Sequence, residues 1–169
     1  MTIETSSTEQ TSFFRIPFKY PEYGKLWIGQ LINNIGSQFT FLALQFLVFS
    51  LTGSPLAMGI LAACEMVPML IFGAYAGVLV DRYDRKRIMI ISNIIQAIWL
   101  FCIPLTTLLP NRILWIYILA FLMGTVNRFF FPSRNASIPK LVPKEDLLAA
   151  NSLSAATYQL SVLTGPISA

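Results

Sequence analysis

The sequence predicts an all-α membrane protein whose chain starts in the cytoplasm and stops inside a fifth spanning helix. Hydrophobic residues make up 55% of the 169 residues and charged residues only 12%, whereas a soluble domain carries about twice that share of charge. The mean hydropathy is +0.64. The apolar residues form long runs, and about 20 helical residues cross the hydrocarbon of a bilayer. Lipid is therefore the predicted solvent of most of this chain.

Four apolar runs are long enough to span, and a fifth is begun. The predicted spans are about Leu26–Leu51, Leu56–Val80, Ile88–Leu109 and Ile113–Phe131. The turn Thr52-Gly53-Ser54-Pro55 separates the first two, and the fourth is predicted to stop before Pro132. The fifth helix is predicted to begin after Pro143-Lys144-Glu145-Asp146, with acids in its first turn, and it is still apolar at Ala169.

The basic residues predict how these helices are oriented, because cytoplasmic loops carry an excess of Lys and Arg. Of the 12 Lys and Arg residues, only Arg112 falls in a connection on the opposite side. Residues 1–25 are therefore expected to be a cytoplasmic amino-terminal segment, and residues 26–169 to hold the spans. The predicted location is the plasma membrane, crossed several times.

Composition also excludes several classes of function. The pI is near 9.3, but the basic residues lie between apolar runs, where they meet lipid headgroups rather than form a nucleic-acid-binding face. The chain has no His, and Cys64 and Cys102 lie apart inside apolar runs. We expect no metal and no cofactor. An enzyme is not expected either, since no nucleophile or metal set accompanies Glu65, the one carboxylate within the predicted spans.

Glu65 and Arg128 are the charged residues that the spans could contain. Glu65 lies roughly a third of the way down the second span, where a charged side chain is costly and is a functional-site hypothesis by default. It could carry a proton, or it could be a neutral group hydrogen-bonded to another helix. Arg128 lies near the predicted cytoplasmic end of the fourth span, where snorkelling to the headgroups is the alternative.

A polar stripe runs along the first span. Gln30, Asn34, Gln38 and Gln45 fall on one helical face. Because such a stripe must face away from lipid, it could line a substrate cavity. Hydrogen bonding between helices is the alternative.

The connection between the second and third spans, residues 77–87, sets two acids among four bases. Gly77 is expected to allow close approach of a neighbouring helix. Asp81 is expected to pair with a base or to face a helix amino terminus. A solvated positive loop is the alternative.

This connection resembles the loop signature of the major facilitator superfamily. Gly77, Leu79, Asp81 and the basic cluster fall on that pattern, and Asp84 stands where Gly is usual. An Asp-Arg-x-Asp-Arg-Lys version is familiar in the macrolide-efflux and siderophore-exporter-like branch. The resemblance implies a gate between conformational states, in which Asp81 acts with its basic neighbours. The candidate gate residues are Gly77, Asp81, Arg82, Arg85, Lys86 and Arg87.

Three further stretches resemble the same branch. They are Leu26-Trp27-Ile28-Gly29-Gln30, the linker from Phe131 to Asn151, and Gly165-Pro166. The last pair is similar to the start of an antiporter element in the fifth helix, in which Ala169 takes the place of a Gly. In some drug:proton antiporters of this family an Arg in the fourth helix takes part in proton coupling, which is the role implied for Arg128.

The resemblance implies a fold and a function for the complete protein. The fold would be the amino-terminal half-bundle of a major facilitator transporter, truncated in the fifth helix, with the remaining carboxy-terminal helices as its partners. The function would be export of a small amphipathic molecule of drug or siderophore type, with protons as the coupling ion. A lysophospholipid transporter of the same fold is the alternative. The 169 residues alone are expected to be inactive, or a membrane remnant.

Overall fold

The computed structural model describes residues 15–167, with side chains described as far as Leu163. Helices account for nearly all of these residues, and no strand occurs among them. The helices are α1 (Ile16–Lys19), α2 (Pro21–Thr52), α3 (Pro55–Arg82), α4 (Arg85–Thr106), α5 (Arg112–Leu141) and α6 (Leu147–Ile167), with a 3-10 turn at Lys144–Asp146 before α6. The predicted all-α class is confirmed.

Four of the described helices, α2 to α5, are long and apolar enough to cross a membrane. Helix α6 is not among them, because Asn, Ser, Thr and Gln are interleaved with its apolar residues. The chain is thus a multi-pass membrane protein, and each of the first four predicted spans overlaps one of these helices.

Local signals explain where the spans begin and end. Gly53 takes the left-handed conformation (φ 62°) between α2 and α3, which glycine adopts without steric cost. The Ser54 hydroxyl then accepts from the Ala57 amide as the N-cap of α3. Helix α4 ends at Thr106, earlier than the predicted Leu109. The next connection turns at Asn111 (φ 55°), a residue type that tolerates this conformation.

One predicted boundary was wrong. Helix α5 does not stop before Pro132 but continues to Leu141. Proline inside a membrane helix is tolerated where Ser or Thr side chains and neighbouring helices supply hydrogen bonds to the freed backbone groups. In the same turn, the Ser133 hydroxyl donates to the Phe129 carbonyl (2.7 Å). Residues up to Leu141 therefore extend the helix rather than form a linker.

The described chain divides into two compact units. The junction unit comprises residues up to Phe39 together with residues from Asn135 onward, and the core unit comprises Thr40–Arg134. The junction unit is built around a buried cluster of Ile16, Tyr23, Ile138, Val142, Ala150 and Leu153. The core unit is built around Leu44, Val48, Ala57, Leu61, Ile116 and Ala120.

Candidate functional site

Glu65 lies where α3 and α5 come into backbone contact. A methyl group in place of the Gly124 hydrogen would lie 2.5 Å from the Glu65 carbonyl oxygen and 3.1 Å from its Cα. Only glycine fits so close an approach, which is how small residues act in membrane helix packing. The backbone of Glu65 is therefore tightly packed against α5, and its side chain is half-buried.

The same helix pair keeps a steady register over two further turns. The Tyr117 hydroxyl donates to the Ala57 carbonyl (3.1 Å). Leu61 and Ala120 are both buried in the cluster of the core unit. Positions 57, 61 and 65 of α3 thus follow positions 117, 120 and 124 of α5, as expected for two neighbouring helices that run in the same direction.

Arg128 lies one turn beyond Gly124 on α5. Because α5 continues to Leu141, Arg128 is about 20 Å of helix away from the end of α5 at 1.5 Å per residue. Its Nε is buried and has no hydrogen-bond partner, which is costly for a charged donor. Arg128 follows by one helical turn the residue whose Cα packs against the Glu65 backbone.

The polar stripe of the first span is divided between several environments. Gln30 is buried, and its Nε2 donates to the Ser154 carbonyl of α6 (2.9 Å). Gln30 therefore makes a hydrogen bond between helices, which was the alternative to lining a substrate cavity. Asn34 is 3% exposed, and its Nδ2 has no hydrogen-bond partner. Gln38 is half-buried, and Gln45 is buried in the core unit.

Two aromatic residues of the same helix belong to this contact and were missed. The Tyr23 hydroxyl donates to the Ala150 carbonyl (2.7 Å) and lies 3.1 Å from the Ser154 hydroxyl. The Trp27 Nε1 donates to Thr157 Oγ1 (2.8 Å). Tyr23, Trp27 and Gln30 recur at helical spacing, so the periodicity could have identified them. Their partners on α6 could not be identified from the sequence.

The last residue of α1 and the residue after it are also bonded to the turn before α6. Lys19 Nζ and Tyr20 Oη both donate to Asp146 Oδ2, at 2.6 Å and 2.8 Å. The hydrogen bond from Lys19, and then that from Tyr20, lower the pKa of Asp146 below its ordinary value. The same bond to Asp146 raises the pKa of Lys19. These opposite shifts are those of a charge-assisted pair.

The candidate gate is an exposed turn in this structure. Arg85 lies 3.9 Å from the Asp81 carboxylate, so Asp81 does have the basic neighbour that the sequence predicts. Asp84, which departs from the family pattern, is the N-cap of α4, and its carboxylate accepts from the Lys86 and Arg87 amides (2.9 and 3.2 Å). The side chains of Arg82, Lys86 and Arg87 are exposed.

Gly77 has no close neighbour in the described part of the chain. No described atom beyond its own helix backbone and chain neighbours lies within 4 Å of a methyl group placed on Gly77, so the close approach expected there stays a prediction. The close approach between α3 and α5 is made at Gly124. For Gly165 and Pro166 the structure describes a helical backbone in α6, and their side chains lie outside the described part.

A further pair of polar residues was not singled out from the sequence. Gln96 Nε2 on α4 donates to Asn127 Oδ1 on α5 (2.9 Å), and the bond is partly buried. Each residue lies inside an apolar run, which is the signal that could have found them. Within residues 15–167, no three His, Cys, Asp or Glu side chains are grouped so that they could hold a metal ion.

Comparison with known proteins agrees with this arrangement of helices. Residues 26–169 match the Major Facilitator Superfamily. Macrolide efflux protein A of Streptococcus pyogenes is 30% identical over 142 residues, which cover 83% of this chain and 35% of that protein. The MFS-type transporter YfiS of Bacillus subtilis is 31% identical over 144 residues, 83% of this chain and 33% of that protein.

A siderophore-related protein is also similar. The Staphyloferrin A transporter of Staphylococcus aureus is 28% identical over 145 residues, 83% of this chain and 34% of that protein. The chain thus spans about a third of the length of the curated relatives it matches. No solved structure matches it. Since the family match covers most of the chain and the described helices agree with it, the chain belongs to the Major Facilitator Superfamily, a family of membrane transporters and not of enzymes.

Proposed function

We propose that the complete protein exports a small amphipathic molecule of drug or siderophore type by alternating access, coupled to proton influx across the plasma membrane. Its amino terminus faces the cytoplasm. The similar proteins favour this direction and substrate range, since their names include a macrolide efflux protein and a multidrug efflux pump. The 169 residues span about a third of those relatives' length, so transport is attributed to the complete protein and not to these residues alone.

The observation that carries the proposal is the contact between Glu65 and Gly124. A carboxylate inside an apolar helix is stabilised by binding a proton, because the neutral form is cheaper to keep away from water. Because α5 packs closely against the Glu65 backbone, there is little free space between the two helices. A change in the charge of Glu65 is therefore expected to shift α3 and α5 relative to each other. Arg128, one helical turn beyond Gly124 on α5 and with its Nε buried, supplies the second charge of the proposed proton path.

The Asp81 turn is proposed to regulate the same cycle. The long Asp81–Arg85 distance of 3.9 Å and the exposure of Asp81 describe a weak pair that can be exchanged for other partners at small cost. An exchangeable ion pair is suited to a gate that must close and reopen in each cycle. In this proposal Arg82, Lys86 and Arg87 are the alternative partners.

The proposal is tested by transport into inside-out vesicles that contain the complete protein, with a macrolide and a siderophore as the two probes. A pH gradient with the vesicle lumen acidic is expected to drive uptake, because protons leaving the lumen correspond to proton influx into the cell. Collapsing that gradient is expected to abolish uptake. Uptake that ignores the gradient would rule out proton coupling. Competition by a lysophospholipid would instead favour the lipid-transport alternative.

The role of Glu65 is tested separately by Glu65→Gln, with Glu145→Gln as a matched control because Glu145 is exposed in the turn before α6. The first variant is expected to lose gradient-driven uptake but to keep substrate exchange between the two sides. The control is expected to keep both. Full gradient-driven transport by Glu65→Gln would remove that residue from the proton path.

A further inference from the structure

The hydrogen bond between Gln96 and Asn127 has no part in the function proposed above. It joins two amide side chains across α4 and α5 at 2.9 Å. At 1.5 Å per residue, Gln96 lies about 16 Å along α4 from Arg85, near the middle of that span. In the hydrocarbon, no water is at hand to take over the hydrogen bonds of these two amides when they separate. The bond therefore restricts how the two helices can move against each other.

The position of Asn127 on α5 indicates which motion is restricted, namely rotation of α5 about its own axis. Gly124 packs against α3. At 100° per residue, Arg128 lies about 40° from Gly124 around the axis of α5 and Asn127 lies about 60° from it on the other side, so Asn127 and Arg128 are about 100° apart. Contact with α3 is made through Gly124 and contact with α4 through Asn127. The two contacts together set the rotation of α5 about its own axis.

We propose that Gln96 and Asn127 are positioning residues, which hold α5 in the rotation that keeps Arg128 beside Glu65. The inference rests on the proposed function only insofar as Glu65 and Arg128 take part in transport. Neither amide touches the substrate or the carboxylate in this proposal. When the bond is absent, α5 can rotate by sliding Asn127 past α4, and Arg128 then leaves the neighbourhood of Glu65.

Cysteine crosslinking measures this rotation without requiring transport. In the complete protein, Cys64→Ala and Cys102→Ala remove the native thiols, and Leu61→Cys with Ala120→Cys places a reporter pair in the buried cluster between α3 and α5. The yield of oxidative disulfide formation is then compared for Gln96→Leu, Asn127→Leu and the exchanged pair, Gln96→Asn with Asn127→Gln. The exchanged pair keeps the combined length of the two amides and can form the same hydrogen bond.

We expect each Leu variant to lower the crosslinking yield about threefold, which corresponds to an average hydrogen bond between membrane helices, and the exchanged pair to restore it. Equal yields in all proteins would overturn the inference, as would failure of the exchanged pair to restore the yield. Failure of the reference protein to crosslink would contradict the α3–α5 register on which the inference depends. Should Asn127→Leu not fold, Gln96→Leu gives the same comparison from the other helix.

A transport measurement separates this inference from the proposed function. With a macrolide as probe, the Leu variants are expected to lower the maximal gradient-driven rate by about threefold and to leave the KM unchanged, because the substrate contacts stay intact. The exchanged pair is expected to regain the rate. If Glu65→Gln transports normally while the crosslinking pattern is as expected, the proposed proton path fails and the positioning of α5 stands.

Discussion

The junction unit and the core unit use polar side chains between their helices in different ways. In the junction unit, Tyr23, Trp27 and Gln30 of α2 each have a hydrogen-bond partner on α6. The core unit also has such bonds, from Tyr117 to α3 and from Gln96 to α5. It differs in holding an acid, Glu65, whose backbone packs against Gly124, and a base, Arg128, whose Nε is buried without a hydrogen-bond partner. Satisfied polar groups hold helices together, whereas an unsatisfied charge costs free energy and persists where function requires it.

This difference separates two kinds of polar residue that look alike in the sequence. Gln30 and Asn34 were both candidates for a substrate cavity, but Gln30 bonds the Ser154 carbonyl and Asn34 keeps a buried Nδ2 without a partner. Asn34 is therefore the member of the stripe that resembles the core unit. It is the stronger candidate for contact with a substrate.

The largest expected effect lies in the core unit, at Gly124. Gly124→Ala places a methyl group 2.5 Å from the Glu65 carbonyl oxygen, so α3 and α5 must move apart. Such overpacking costs about 1–3 kcal/mol in the free energy of unfolding. The apparent Tm of the complete protein in detergent measures it. Gly73→Ala is the control, because a methyl group there meets no described atom within 4 Å, and an equal loss in both variants would contradict the close contact.

An intermediate effect is expected in the junction unit, at Tyr23. Tyr23→Phe keeps the ring but removes the hydroxyl that bonds the Ala150 carbonyl and approaches Ser154. A buried acceptor left without its donor costs about 1–2 kcal/mol. Thermal unfolding of the complete protein measures the loss, with Tyr75→Phe as control because Tyr75 is 73% exposed. A Tyr23→Phe protein as stable as the parent would show that the polar contacts between α2 and α6 are dispensable.

The smallest effect is expected at the exposed pair of Lys19 and Asp146, and it depends on pH. Because the pKa of Asp146 is lowered in the folded protein, its contribution is complete above its ordinary value of 3.8 and is lost as the pH falls through the folded value. Because the pKa of Lys19 is raised, its contribution is complete below 10.5 and is lost as the pH rises through the folded value.

Asp146→Asn should therefore weaken the junction unit at neutral pH and make no difference in strong acid. Hydrogen exchange of the backbone amides in residues 16–24 measures this difference at both pH values. Glu22→Gln is the control, since the Glu22–Lys25 pair lies within α2 and does not join separate segments. A difference between Asp146→Asn and the parent that persisted unchanged in acid would contradict the assigned ion pair.

Much of the fold could be predicted from the sequence, because hydropathy and turn residues act locally. The end of α2 and the start of α3 follow from Gly53, Ser54 and Pro55, whose backbone preferences act within one turn. The continuation of α5 past Pro132 could not be predicted in the same way. Whether a proline ends a membrane helix depends on the groups that satisfy the freed carbonyl, and these are set by neighbouring turns and helices.

The sequence by itself determined that this chain crosses a membrane several times and which family the connection around Asp81 resembles. Tertiary structure decided which residue meets which partner: that Gln30 bonds α6, that Gly124 packs against the Glu65 backbone, and that Gln96 meets Asn127. The physical reason is the range of the forces involved. Hydropathy acts residue by residue, whereas a contact between helices depends on the rotation and register of both.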